Sequence, residues 1–240
     1  MSIVVNERDI VIPGEALAEG LDFLPGDNTY RENEKIYSKV LGLVSIAGRV
    51  LKITPLSGPY IFKPGDKIIG EVIDILMSGW RIKTGTAYTA MLSMQDASSR
   101  FIRKDEDLSR ILAVGDYVVV KVTKVTSQNL IDVTMKEPGL HKVNGGRIIK
   151  INSQKVPRVI GKKGSMISLI KAHTNCDITV GQNGLIWLRG TPEGEQLAAE
   201  AIKIIEQKSH QEGLTEKMEQ FLVSRTGKKI ENYMPEESSE

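Results

Sequence analysis

Short apolar runs separated by turn residues dominate the first part of the chain. In residues 1–62 one such run, Ile10-Val11-Ile12, ends at Pro13-Gly14, and residues 39–53 combine apolar residues and glycines with few helix signals. Runs of this length, bounded by Gly, Pro, Asn and Asp, are typical of β-strands. We therefore predict a small β-rich domain over residues 1–62.

Five apolar segments follow in residues 63–137. Pro64-Gly65-Asp66 precedes the first segment and Val114-Gly115-Asp116 precedes the fourth, so a similar turn begins two of the strands. Five short strands with a repeated turn predict a small closed barrel of the OB type. A polar insert, residues 93–110, separates the third strand from the fourth. The predicted strands are Lys67–Ile75, Trp80–Thr84, Tyr88–Leu92, Tyr117–Val125 and Leu130–Met135.

Strands and helices alternate in residues 145–212. Apolar residues recur at helical spacing between Met166 and Ile170. Ser165 and Thr191 stand where helix N-caps are expected. The order is βααββα, which predicts an α+β domain. The predicted elements are a strand at 146–151, helices at 156–160 and 165–173, strands at 177–180 and 185–189, and a helix from 191 to about 208.

Charge changes this picture because it is distributed unevenly. The chain has 32 basic and 30 acidic residues, yet the segment between Pro138 and Cys176 carries eight Lys and Arg residues and no Asp or Glu. Its local charge is therefore +8, whereas residues 177–240 carry −5. Residues 213–240 predict one more helix, over 214–224, and then a polar, acidic tail that we expect to be disordered. Any attraction for a polyanion must be local.

The segment Gly161-Lys162-Lys163-Gly164 lies inside this basic region, between the first two predicted helices. Glycines let a backbone come close to phosphates, and the two lysines supply positive charge. A G-x-x-G turn at this place in a βααββα unit is the signature of a eukaryotic-type KH domain, which clamps about four nucleotides of single-stranded RNA or DNA. A degenerate KH module kept for packing is the alternative. A Walker loop is excluded, because Lys163-Gly164-Ser165 has the wrong order.

The candidate RNA-binding residues fall into three groups. The KH group, in which the apolar groove floor would also include Ile167 and Ile178, is Lys150, Arg158, Ile160, Gly161, Lys162, Lys163, Gly164 and Lys171. A stacking and phosphate surface on the barrel would use the aromatics Trp80 and Tyr88 with Arg81, Lys83, Lys121 and Lys124, although one or both aromatics could instead fill the barrel core. The polar insert adds Arg100, Arg103 and Lys104, which could equally be solvated loop residues.

The remaining composition argues against several classes of protein. Cys176 is the only cysteine, so no intrachain disulfide is possible and a reducing compartment fits. No apolar run approaches the roughly 20 residues that span a bilayer, and early charges argue against a signal peptide. The three histidines are scattered and Asp105-Glu106-Asp107 has no second carboxylate cluster, so we predict no catalytic set, no metal and no cofactor. We expect a soluble cytoplasmic protein.

The order of a β-rich domain, an OB barrel and a KH domain resembles the RNA-binding cap subunits of the archaeal exosome, the ribosomal RNA-processing protein four family. The resemblance covers about residues 5–210, and the barrel looks like the S-one type. One departure concerns the RNA face of the barrel, where the S-one type usually has Phe-Gly-x-Phe and a later His. This chain has Met77-Ser78-Gly79-Trp80 and Met91 there. The departure favours steering of phosphates by the basic residues of the barrel over stacking of bases on it. The best-matching segments are Val11-Ile12-Pro13-Gly14-Glu15, Lys63-Pro64-Gly65-Asp66 and Gly181-Gln182-Asn183-Gly184 followed by Trp187.

This resemblance implies a non-catalytic subunit that serves RNA degradation. In that family the N-terminal domain docks on a hexameric ring of phosphorolytic RNase-PH-like subunits. Three caps surround the pore, and single-stranded RNA is threaded 3′ end first towards catalytic sites elsewhere. Two alternatives stay open. A transcription factor of the NusA type also has an S-one barrel before KH modules, but normally two of them with the other topology. A self-sufficient nuclease would place KH before the barrel and add long catalytic domains.

Overall fold

The computed structural model describes residues 2–100, 102, 103, 106–209, 211 and 213–227. The chain forms two compact units, of which the first ends at Pro59 and the second begins at Tyr60. The first unit ends before the predicted boundary at residue 62, because Tyr60 and Phe62 already pack into the core of the barrel. Within the described ranges, no helix has both the length and the apolar composition that crossing a membrane requires.

The first unit consists of eight short strands in two four-stranded sheets. The strands are β1 (Ser2–Ile3), β2 (Ile10–Val11), β3 (Ala16–Glu19), β4 (Leu24–Pro25), β5 (Thr29–Glu32), β6 (Lys35–Ser38), β7 (Gly42–Ala47) and β8 (Val50–Pro55). One sheet has the order β1-β3-β6-β5 and the other β2-β7-β8-β4. Val11, Leu17, Ile36, Leu51 and Ile53 form the buried core of this unit. The prediction of a β-rich domain is confirmed.

The second unit begins with the barrel. Its strands are β9 (Lys67–Leu76), β10 (Gly79–Lys83), β11 (Thr89–Ser93), β12 (Tyr117–Val125) and β13 (Ile131–Thr134). β9 pairs with β10 and β12, and β11 pairs with β10. β13 closes the ring, parallel to β11 and antiparallel to β12. The predicted five-stranded barrel is confirmed, with strand ends that differ by a residue or so from the sequence-based ones.

The repeated Gly-Asp turn explains why the barrel strands are readable from the sequence. Gly65 and Gly115 have φ angles of 94° and 92°, which L-residues rarely adopt. The backbone N–H of Gly65 donates to β12 over 2.7 Å, and that of Gly115 donates to β9 over 2.8 Å. Asp66 and Asp116 each accept a hydrogen bond from the backbone N–H three residues earlier. Each turn thus joins the start of one strand to its neighbour.

The polar insert between β11 and β12 is partly structured. It begins with α1 (Met94–Ala97), whose N-cap Ser93 accepts a hydrogen bond from the N–H of Asp96. A short 3-10 turn at Leu108–Arg110 follows, and Ile102 and Leu108 pack into the barrel core. A two-residue strand after the barrel, β14 (Lys142–Val143), pairs with β12. The sequence did not indicate these anchors, because the apolar residues in the insert show no regular period.

The KH domain has the predicted βααββα order. Its elements are β15 (Arg147–Lys150), α2 (Val156–Ile160), α3 (Ser165–Thr174), β16 (Asp177–Val180), β17 (Leu185–Arg189) and α4 (Pro192–Gln207). The antiparallel sheet has the order β15-β17-β16. Thr191 is the N-cap of α4, as predicted. The prediction that Ser165 caps α3 is wrong, because Gly164 occupies the cap position and Ser165 is already helical.

A last helix, α5 (Leu214–Thr226), adds to the KH domain. Its residues Leu214, Met218 and Leu222 are buried in the same core as the KH helices and sheet. Arg225 forms a salt bridge of 3.1 Å with Glu200 of α4. The predicted helix is therefore an integral part of this domain. The predicted disordered tail begins near its end, and residues 228–240 lie outside the described part of the chain.

Candidate nucleic-acid interface

The turn between α2 and α3 has a backbone that requires glycine. Gly161 and Gly164 have φ angles of 77° and 76°, and Lys163 between them also has a positive φ of 52°. A Cβ at Gly161 would lie 2.7 Å from the backbone nitrogen of Met166, which is closer than van der Waals contact allows. A Cβ at Gly164 would meet nothing closer than 3.9 Å, so one edge of this turn is open. An extended phosphate backbone can approach that edge.

The charged side chains of the turn face solvent. Arg158, Lys162 and Lys163 are exposed, and none of the salt bridges of the described residues includes them. The preceding helix has no acidic residue in its first turn, and neither does α3. The positive charge of these three side chains is thus available to an external anion, as the binding of a polyanion requires.

The apolar floor beside the turn differs in one residue from the prediction. Ile160 and Ile167 are half-buried and pack on the edge of the KH core, so part of each side chain is accessible. Ile178 is only 5% exposed and belongs to the core itself, so its assignment to the groove floor is wrong. The half-buried residue on the same strand is Val180. Alternation along β16 puts Ile178 and Val180 on one face, where the second is the more accessible.

Two further predicted KH cations have partners. The amine of Lys150 donates a hydrogen bond to the backbone carbonyl of Gly85 over 3.0 Å, which ties β15 to the loop between β10 and β11. Lys171 lies in the last turn of α3 and is partly buried. Lys150 is thus exposed but bonded to the barrel, and Lys171 lies at the end of α3 that is farther from the G-x-x-G turn.

The barrel cations do not form one patch. Arg81 and Lys83 are exposed on β10, where Arg81 lies 3.8 Å from Asp74. Lys121 and Lys124 are on β12, which lies on the other side of β9. Lys121 lies opposite the first residue of β9, whereas Arg81 lies opposite Asp74, near its far end. Arg81 and Lys121 are therefore separated by about seven residues along β9, each of which rises about 3.3 Å.

The predicted cations of the insert are divided in the same way. Arg100 forms a salt bridge with Glu106, and Arg103 is exposed. Lys104 and Asp105 lie outside the described residues. Hydrogen bonds from the hydroxyl and the backbone N–H of Ser109 lower the pKa of Asp107. Glu106 and Asp107 are thus engaged in a salt bridge and a helix cap.

Trp80 is not part of any surface. Its side chain is 0% exposed, lies among the core residues of the barrel, and donates a hydrogen bond from Nε1 to the carbonyl of Leu112 over 3.0 Å. The prediction that Trp80 stacks on RNA is therefore wrong. Alternation of the strand residues explains the difference, because Trp80 shares its inward face with Ile82.

Replacing Trp80 with Phe is expected to lower stability without changing affinity for RNA. The substitution removes a buried hydrogen bond and leaves the carbonyl of Leu112 unpaired, which costs about 1–3 kcal/mol. Denaturant unfolding and RNA titration of the same variant measure the two effects separately. A loss of RNA affinity with unchanged stability would contradict the burial of this side chain.

The loop between β16 and β17 carries the residue that sequence reasoning missed. Asn183 is buried, and its side-chain amide donates hydrogen bonds to the carbonyls of Ile69 and Thr84, both over 2.7 Å. Its Oδ1 accepts from the N–H of Ile69 over 3.3 Å. The neighbouring Gln182 donates its backbone N–H to the carbonyl of Lys67 over 2.8 Å. What was predicted as a simple strand-joining turn joins the KH domain to the barrel.

An apolar cluster reinforces this junction. Trp187 of β17 is 5% exposed and packs with Ile69, Val119, Leu140 and Val143. Its Nε1 donates to the carbonyl at position 145 over 2.8 Å. The outward face of β9 and β12 is therefore covered by the KH sheet at this point. Barrel and KH domain present one continuous surface.

The described residues offer no arrangement typical of catalysis by a metal. No three His, Cys, Asp or Glu side chains among them come together in a way that could hold a metal ion. Cys176 is buried, and burial raises the pKa of its thiol, which disfavours the reactive thiolate. The site in the described part of the chain is thus a surface of cations and backbone.

An OB-type barrel joined to a KH fold with an exposed G-x-x-G turn defines a multidomain nucleic-acid-binding protein. Residues 8–57 match the family model of the exosome RNA binding protein RRP4 N-terminal domain, and residues 146–204 match that of the KH domain. A crystal structure described as that of an exosome complex RNA-binding protein superposes with a TM-score of 0.63 at 33% identity, covering 70% of this chain and 97% of that one.

Relatives of known family extend the match to most of the chain. The exosome complex component Rrp4 of Thermococcus kodakarensis is 43% identical over 227 residues, which cover 93% of this chain and 88% of the relative. The protein of the same name from Methanothermus fervidus is 39% identical over 221 residues, which cover 92% and 98%. The chain belongs to the Rrp4 family of exosome complex components.

Proposed function

We propose that this chain is the non-catalytic RNA-binding cap subunit of an archaeal exosome. It captures single-stranded 3′ tails and feeds them to a phosphorolytic ring for degradation and processing in the 3′-to-5′ direction. The observation that carries this proposal is the exposed lysine pair between Gly161 and Gly164, set in a KH fold in a chain of the Rrp4 family. A flexible phosphate backbone fits such a turn, since glycine leaves room for it and lysine neutralises it.

The partners we propose are a hexameric ring of RNase-PH-like subunits and further caps in a trimeric arrangement, in the cytoplasm. Residues 1–62 would dock on the ring. Exposed apolar side chains of the first unit support a docking role, because Ile10, Ile12, Leu21 and Leu24 are each more than half exposed. Mass measurement of the native complex purified from cells tests the composition.

The isolated protein is expected to bind single-stranded RNA without shortening it. Binding would come from the KH turn and the neighbouring cations, whereas cleavage would require catalytic groups on other chains. Incubation of the purified protein with end-labelled RNA, inorganic phosphate and magnesium measures both properties in one assay. Shortening that rises in proportion to protein concentration, and that persists after co-purifying nucleases have been removed, would overturn the non-catalytic assignment. Absence of any RNA binding at low salt would overturn the proposal as a whole.

A further inference from the structure

We propose that Lys67 and Lys121 of the barrel form a phosphate-binding site that extends the KH groove across the domain junction. The ligand is a phosphodiester of the same RNA strand that the G-x-x-G turn holds, so this inference rests on the proposed function. Lys67 belongs to none of the motifs by which the RNA surface was predicted. Three observations carry the inference: the pairing of the two lysines, their place at the junction, and the direction of the KH elements that lead to them.

The two lysines lie directly opposite each other. Lys67 is the first residue of β9 and pairs with Lys121 of β12 in an antiparallel register. Residues opposite each other in such a pair have their Cβ atoms about 5 Å apart and point to the same face. Like charges directly opposite each other destabilise a sheet. The pair therefore concentrates positive charge on one face of the sheet, where an external phosphate would relieve part of the repulsion.

The charges around the pair leave it positive. Both carboxylate oxygens of Glu137 accept hydrogen bonds from the amine of Lys121, over 2.7 and 2.9 Å. Lys67 is exposed, and none of the salt bridges found among the described residues includes it. Its amine lies close to Gly139, because a Cβ built on that glycine would be 3.4 Å from Nζ of Lys67. Within the described part of the chain, Glu137 thus pairs with Lys121 alone, and the charge of Lys67 leaves this edge positive.

The pair lies where the KH domain contacts the barrel. The carbonyl of Lys67 accepts the backbone N–H of Gln182 over 2.8 Å, and Asn183 bonds to both backbone groups of Ile69. Lys67 and Ile69 point to the same face of β9, because side chains alternate along a strand. Ile69 is covered by Trp187 of the KH sheet, whereas Lys67 is exposed. Lys67 therefore stands at the rim of the interface, next to the KH loop.

The KH elements bring the G-x-x-G turn towards the same end. α3 begins at Ser165, directly after the turn, and ends at Thr174. Only Asn175 and Cys176 separate it from β16, so the chain doubles back and the end of β16 at Val180 returns towards the start of α3. The loop that contacts Lys67 follows Val180 directly. An RNA strand that runs from the G-x-x-G turn across the apolar floor of the KH groove therefore reaches the barrel at Lys67.

Replacing Lys67 with Gln tests the inference in the full-length protein. The side chain is exposed and its backbone bonds are kept, so the fold is expected to persist. Two fluorescent oligouridines serve as probes. One has about four nucleotides, which the KH groove alone can hold, and the other has about ten. We expect Lys67→Gln to leave affinity for the short probe unchanged and to weaken binding of the long probe about threefold to tenfold. The slope of log affinity against log salt should fall by about 0.7, as for one lost phosphate contact.

Lys203→Gln is the matched control, because Lys203 is exposed on α4 and its loss changes the net charge equally. Equal effects of Lys67→Gln and Lys203→Gln on the long probe would overturn the inference, since general charge would then explain the result. An equal loss for both probes with Lys67→Gln would overturn it too, because the site would not lie beyond the KH footprint. Failure of the unaltered protein to bind either probe would instead remove the proposed function itself.

Discussion

Replacing Lys162 and Lys163 with Asp is expected to weaken binding of single-stranded RNA by at least about tenfold at low salt, because two phosphate contacts become repulsive. Both side chains are exposed and lie outside the KH core, so thermal unfolding should change little. Asp also tolerates the positive φ of 52° at position 163 better than most residues. Titration of a labelled oligonucleotide at low and high salt, with a parallel unfolding curve, measures both effects.

The matched control for this variant changes two exposed lysines of the C-terminal helices. Lys203→Glu with Lys217→Glu alters the net charge by the same amount on α4 and α5. We expect it to reduce affinity much less than the turn variant. Equal losses in the two variants would mean that long-range charge, and not the turn, holds the RNA. Unaltered binding by the turn variant would remove the KH turn from the account.

Replacing Asn183 with Ala is expected to reduce the free energy of unfolding of the second unit by about 3 kcal/mol, because three buried backbone groups lose their partner. Those groups are the N–H and carbonyl of Ile69 and the carbonyl of Thr84. The position is buried, so water cannot readily replace the amide. Denaturant unfolding measured by the fluorescence of the two tryptophans, both in this unit, follows the change.

Gln182→Ala is the control for the junction. Gln182 contacts the barrel through its backbone N–H, which alanine keeps. We expect it to alter stability by less than about 0.5 kcal/mol, as for most surface substitutions. If Asn183→Ala also changes stability by so little, the hydrogen bonds of this side chain do not hold the two domains together.

Much of the second unit could be predicted from the sequence because its signals are local. The Gly-Asp turns set the start of β9 and β12 through a positive φ and a side-chain hydrogen bond within three residues. Thr191 and Pro192 likewise define the start of α4. The G-x-x-G turn needs only its own φ angles and one close contact with α3. Each of these features depends on neighbours in the chain.

The features that could not be predicted depend on distant residues. Trp80 sits on a strand in which both faces look acceptable for an aromatic ring, and only the closed barrel decides that it is buried. Asn183 is separated by 114 residues from its partner Ile69. Such a contact has no period or motif to indicate it, and a Gly-Gln-Asn-Gly segment is also typical of an ordinary turn. The division of the first unit into two sheets depends on non-local pairing in the same way.

Photocrosslinking of thiouridine-substituted RNA to the full-length protein, followed by mass spectrometric mapping, tests the central claim most directly. The claim is that the glycine-flanked lysines hold the strand and that the barrel edge at the junction continues the path. We expect crosslinks in the segment from Arg158 to Ile167 and, with longer RNA, near Lys67. Crosslinks confined to the first unit, or absent from both the KH turn and the barrel, would contradict it.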